Sequence, residues 1–187
     1  MEFQHELIIP DEGFPFKVFL FEGGNGNYVR EKHWHTSIEI FAVLAGSLDF
    51  FVNKEEYPLK AGEQIIINSI HAPEKNQTVV LQIPLKQFEN YFTAQRFIRF
   101  RGQEETTDKK LTSLIKKLYK TYVDRETGYE FKTMSIFYEI MYILIRDYRV
   151  TEAKEKEIRH SRRLDVLSKI TTYMREHYKE DLKLSEL

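Results

Sequence analysis

Three imidazoles and one carboxylate are the side chains of this 187-residue chain best suited to chemistry: His33 and His35 flanking Trp34, then Glu39, with His71 further on. On an extended strand His33 and His35 project to one face and Trp34 to the other. Glu39 shares their parity, but four extended residues span about 13 Å, so His35 and Glu39 meet only if the chain reverses near Thr36 and Ser37. His71 has to arrive from a separate strand or loop, which a closed sheet permits. Such a set suits a divalent first-row metal (iron, manganese, nickel or zinc) with coordination positions left open. The same groups would also form a hydrogen-bonding patch for polyols or acids, or a satisfied polar network inside a barrel. Spacing alone leaves all three readings open. Phe41, Phe50 and Tyr57 offer aromatic walls beside them, although Phe41 and Phe50 read first as ordinary core packing.

The elements that must carry these groups are legible from turn residues and periodicity. All five prolines lie at or before Pro84, and only Gly102 and Gly128 of the glycines follow it. The first half has short β-branched and aromatic runs at Phe16 to Phe21, Glu39 to Leu44, Ser47 to Val52, Gln64 to Ile67 and Thr78 to Ile83. Gly46 and Gly62 suit reversals between such strands, because glycine adopts positive φ cheaply. Strands so spaced predict an antiparallel barrel or sandwich.

After Pro84 the period changes. Leu111, Leu114, Ile115, Leu118, Tyr119 and Tyr122 fall at helical spacing, and Gly128 breaks the pattern. A second helix runs from Phe131 to Tyr148 with 12 apolar residues in 18, more than one buried stripe requires, so a second burial surface is expected, either at the centre of an intramolecular bundle or, the favoured reading because few other helices are available to surround it, on a second subunit. Residues 151–163 are charged and read as a linker. Leu164, Leu167, Ile170, Tyr173, Met174 and Tyr178 then share a fresh helical face. The closing leucines Leu182, Leu184 and Leu187 suggest another helix beginning, as in a fragment of a longer polypeptide.

Composition narrows the function classes. With no cysteine, disulfide scaffolds, cysteine-ligated zinc and thiol catalysis are excluded. The net charge of -1 provides no general basic field for nucleic acid, although the first 100 residues hold 9 Lys and Arg against 13 Asp and Glu, and the remainder 19 against 16. The N-terminus lacks the basic patch and apolar run of a signal peptide, so a cytoplasmic protein is expected. Met134 to Ile145 is too short to span a bilayer. No Gly-rich phosphate loop or nucleophile elbow is present. His5, His160 and His177 read as terminal, linker and helix-end residues, and Arg159, Arg162 and Arg163 as part of a solvated linker.

The run His33 to Gly46 is similar to the first cupin motif from its His-x-His onward, and Gly62 through His71 echoes the second. Asn27 stands where the leading glycine of motif one belongs, with Gly26 adjacent. Ile66 and Asn68 replace the proline and glycine of motif two, and its trailing asparagine is displaced to Asn76. These departures weigh against a cupin enzyme. More specifically, His33 to Gly46, Tyr57 to His71, Leu81 to Phe92 and Ile170 to Leu187 together resemble the AraC/XylS family of transcription regulators in order and spacing.

That resemblance implies an α+β fold: a cupin-like antiparallel double-stranded β-helix barrel followed by a C-terminal helical region. It divides the chain into an effector-sensing domain (1–100), a helical dimerisation region (101–150), a charged linker (151–163) and the truncated start of a helix-turn-helix DNA-binding domain (164–187). The implied partners are a small-molecule effector, related regulators often responding to sugars, and a second copy of the chain. DNA is reached only through the complete C-terminal domain, and no membrane is involved. His33, His35, Glu39, His71 and Tyr57 are the expected ligand contacts. No cofactor is required and no catalysis is expected. The alternative is a metal-dependent cupin enzyme, an isomerase or dioxygenase, holding a divalent transition metal on His33, His35, Glu39 and His71.

Overall fold

The computed structural model describes residues 4–5, 8–23, 33–34, 37–52, 55–67, 76–93, 98–101, 107–151 and, towards the C-terminus, 163, 166–167, 169–174 and 177–178, with only the backbone described at 4–5, 33–34, 51–52 and 55. Its organising element is one strand of 16 residues, β4 (Ser37–Val52). Along one edge β4 pairs antiparallel with β7 (Asn76–Pro84), which in turn pairs with β2 (Lys17–Glu22). Along the other edge lie β5 (Glu55–Lys60) and β6 (Gln64–Ile67), one after the other. A two-residue parallel pairing joins β1 (Gln4–His5) to β3 (His33–Trp34).

Two sequence expectations change here. Glu39 to Leu44 and Ser47 to Val52 are not separate strands, and Gly46 and Gly62 do not reverse the chain. Both glycines do have positive φ, 76° and 94°, but they face each other where the sheet turns a corner. The β4–β7 register shifts between Val43 and Ala45, and across the corner Ala61 N–H donates to Gly46 O (3.1 Å) and Gly62 N–H to Val43 O (2.9 Å). A bulge bends a strand and increases its twist without ending it, which allows one strand to serve both parts of a curled sheet. It also changes which parity points inward: Glu39, Phe41 and Val43 precede the corner, Leu48 and Phe50 follow it. Strand β5 lacks a clean sequence signal because it contains Pro58. Its place at the sheet edge accommodates a residue that donates no ladder bond.

The even-numbered residues of β4 before the corner, Ile38, Ile40 and Ala42, join Val79, Leu81, Ile83 and Val18 on the outer face. Two helices cover it. Helix α1 (Lys109–Asp124) buries Leu111, Ile115 and Leu118, and α2 (Tyr129–Ile143) buries Ile136, Phe137, Ile140 and Ile143, all in one apolar cluster with the strands. The Phe16 and Phe137 rings, 4.6 Å apart between centroids, link sheet to helix. Asp108 caps α1 by accepting from Lys110 N–H (2.9 Å) and Leu111 N–H (3.0 Å), satisfying donors a helix start leaves orphaned. Its other oxygen accepts from the Tyr148 hydroxyl at 2.8 Å.

Tyr148 ends a widened π turn, Leu144–Tyr148, that prolongs α2. Arg101 closes this end: its Nε and Nη2 donate to Asp147 O (3.1 and 2.7 Å), and its backbone N–H donates to Tyr148 O (2.8 Å). Phe100 and Arg149 form an antiparallel bridge beside it. The path from sheet to helices and the path out of the helices are therefore fastened together. Further on, residues 169–174 are helical, but Val166, Leu167, Met174 and Tyr178 are exposed, so the apolar face read from the sequence is largely open.

Candidate functional site

The middle of the inner face of the curled sheet is apolar, with buried polar side chains towards both ends of β7: Gln82 at one, and Thr78 donating to Asn76 (2.8 Å) at the other. Phe41 and Phe50 pack edge-on with centroids 4.8 Å apart, among Val43, Leu48, Leu59, Ile65, Ile67 and Val80. They are core residues, as expected. One step nearer the start of β4 the chemistry changes. Cross-strand register places Lys17 of β2, Gln82 of β7 and Glu39 of β4 in a single row, with Ile67 of β6 completing it. Ser37, also buried, is two residues from Glu39 on the same face.

Glu39 is 0 % exposed and Gln82 1 %. Gln82 Nε2 donates a short hydrogen bond to Glu39 Oε1. In this arrangement Nε2 faces Glu39 and Oε1 faces away. Gln82 Oε1 is buried without a hydrogen-bond partner among the described residues. At the edge of the row, Lys17 Nζ lies 5.5 Å from the centroid of Phe19, whose ring packs against the inner cluster. The ammonium therefore rests on an aromatic face at the rim of the apolar interior.

The five contacts expected from the sequence are not all placed. The backbone of His33 lies in β3, paired with Gln4. His35 and His71 lie outside the described residues, as does the reversal expected at Thr36. Glu39 stands on the inner face as its parity required. Tyr57 is half-buried against the same inner cluster, opposite Phe50 near the far end of β4. Phe41, Val43 and Leu48 lie along that face between the Glu39 and Tyr57 positions. For a metal, Glu39 supplies the one described carboxylate of the candidate set, and one of its oxygens is engaged by an amide N–H. Among the described residues no three His, Cys, Asp or Glu side chains group closely enough to hold a cation.

Gln82 and Lys17 escape a search for metal-type ligands. Gln82 nevertheless leaves a signal, as the lone polar residue in the run Val79-Val80-Leu81-Gln82-Ile83. A polar side chain in the middle of a central strand needs a partner, and here the partner is Glu39.

Comparison with known proteins places the barrel first: residues 19–78 match the family model of the cupin domain. The fold is α+β, an antiparallel cupin-type sheet followed by helices. Among solved structures, an apo ToxT variant from Vibrio cholerae strain SCE256 is similar over 92 % of this chain and 69 % of its own, at 16 % identity and a TM-score of 0.56. ToxT from Vibrio cholerae O395 matches over 92 % and 67 %, at 10 % identity and a TM-score of 0.52. A point variant of Streptomyces PAC13 with uridine matches over 37 % of this chain at 22 % identity and a TM-score of 0.35, and this chain spans 60 % of its length. At these identities the likeness to ToxT is one of fold, and it extends through barrel and helices alike. No curated protein matches the sequence. No helix among the described residues is long and apolar enough to cross a membrane.

Proposed function

We propose that this chain is the effector-sensing and dimerising portion of an AraC/XylS-type DNA-binding transcription regulator. A small molecule, a sugar by analogy with related regulators, binds on the inner face beside Glu39. The observation that carries this reading is the shared apolar cluster behind the site: the outer faces of β2, β4 and β7 and the buried faces of α1 and α2 form one core. The effector row and the helical hairpin are two sides of the same strands. A ligand that prefers one packing of that core shifts its population, and the helices carry the difference.

Helix α2 presents a second apolar surface to solvent. Phe131, Tyr138 and Tyr142 are 84 %, 62 % and 57 % exposed, and positions seven and four apart align on one helical face. Half-buried Met134, Met141 and Ile145 belong to the same helix and its continuation. A stripe of this kind suits an isologous contact with a second copy. DNA reading belongs to helix-turn-helix units of which residues 164–187 are the opening, so this chain alone binds DNA weakly or not at all.

Sedimentation equilibrium tests the reading. The chain should dimerise, and Phe131→Asp with Tyr138→Asp should yield a monomer that melts at the parental temperature. A parental chain that stays monomeric at all concentrations, or that turns over a substrate, overturns it.

A further inference from the structure

Two groups in the polar row have chemistry left to offer: the ammonium of Lys17, in contact with a ring, and Gln82 Oε1, buried and lacking a donor among the described residues. Gln82 has no freedom to turn Oε1 towards Glu39 while Nε2 serves the carboxylate. A buried acceptor without a donor costs stability, so this oxygen is set to accept from an N–H or O–H group. Among the described residues Lys17 has no ion-pair partner, so its charge is available to an anion. Lys17 and Gln82 are direct cross-strand partners. Such pairs have Cβ atoms roughly 5 Å apart, so both side chains are within reach of one small ligand.

We infer that the effector is a small carboxylate that also carries a hydrogen-bond donor. Its carboxylate meets Lys17 Nζ, and its hydroxyl or amino group donates to Gln82 Oε1. This rests on the sensor reading above and narrows it. A neutral polyol supplies the donor but leaves the ammonium without an anion; a plain carboxylate supplies the anion but leaves Oε1 buried and unsatisfied. The aromatic face of Phe19 next to Lys17 provides an apolar wall for the ligand's carbons. Hydroxy acids, sugar acids among them, and amino acids share the required chemistry.

Calorimetric titration of the 187-residue chain with D-gluconate and with L-serine distinguishes these two sources, with sorbitol and propionate as the probes lacking one group each. At least one of the first pair should bind, and sorbitol and propionate should each bind about tenfold more weakly or worse, the loss expected from one charge-assisted hydrogen bond. Lys17→Met should bring the preferred acid down to the level of sorbitol, and Lys17→Arg should restore the gap. Lys17 is partly exposed on an edge strand, so the variant is expected to fold, and its melting curve verifies that. Binding of neither acid, equal binding of sorbitol or propionate, or a preference that survives Lys17→Met overturns the inference. A neutral ligand that binds and alters dimerisation independently of Lys17 would overturn it and leave the sensor reading standing.

Discussion

The two faces of β4 obey opposite rules. Its outward residues before the corner, Ile38, Ile40 and Ala42, pack in the apolar cluster shared with β7 and the helices, with buried Gln64 of β6 paired to Ala42, while its inward residues begin with Ser37 and Glu39 before turning apolar at Phe41. Neither face is exposed to solvent there, so burial does not explain the difference. The outer face is covered by the chain's own helices, whereas the inner face keeps a hydrogen-bonded row beside its apolar cluster. A buried amide and carboxylate add little net stability compared with hydrocarbon of similar shape.

That contrast can be broken by mutation. Phe137→Ala, which removes the ring packed on Phe16, should cost ~3–5 kcal/mol in urea unfolding. Gln82→Leu should cost ~1–3 kcal/mol by stripping a donor from the buried Glu39 carboxylate. The sharper experiment is Glu39→Leu combined with Gln82→Leu: this double variant should be about as stable as the parent and bind no effector. If it unfolds, the row supports the fold and the contrast between the faces fails. Asp108→Ala should cost ~1–2 kcal/mol through the lost cap of α1 and the lost hydrogen bond from the Tyr148 hydroxyl. Gly62→Ala should cost about 1 kcal/mol, the strain of a left-handed alanine, because no atom lies within 4 Å of the added methyl.

Much of the architecture was legible because periodicity reports burial. The apolar stripe of α1, the Gly128 break, and strands β2, β6 and β7 lie where turn residues and spacing indicate. Continuity was harder to read: Gly46 and Gly62 carry the same φ signature in a corner as in a hairpin, and only the partner strand distinguishes them. Strand β5 was hidden by Pro58, since position at the sheet edge is a tertiary fact. At the site, Glu39 was found by its type and parity, while Gln82 and Lys17 were passed over because their significance lies in register across three strands. No spacing along one strand encodes that. The excess apolar character of α2 was read directly as a need for a second contact, and Phe131, Tyr138 and Tyr142 are the residues that express it.

The fastening of residues 99–101 to 147–150 has a mechanical consequence. Entry to the helical hairpin and departure from it share one mooring, built from backbone pairing and the Arg101 side chain. The hairpin thus hangs from the sheet as a closed loop. Whatever follows residue 150 sets out from that mooring, so under the proposed function a tilt of it would re-aim the segment beyond.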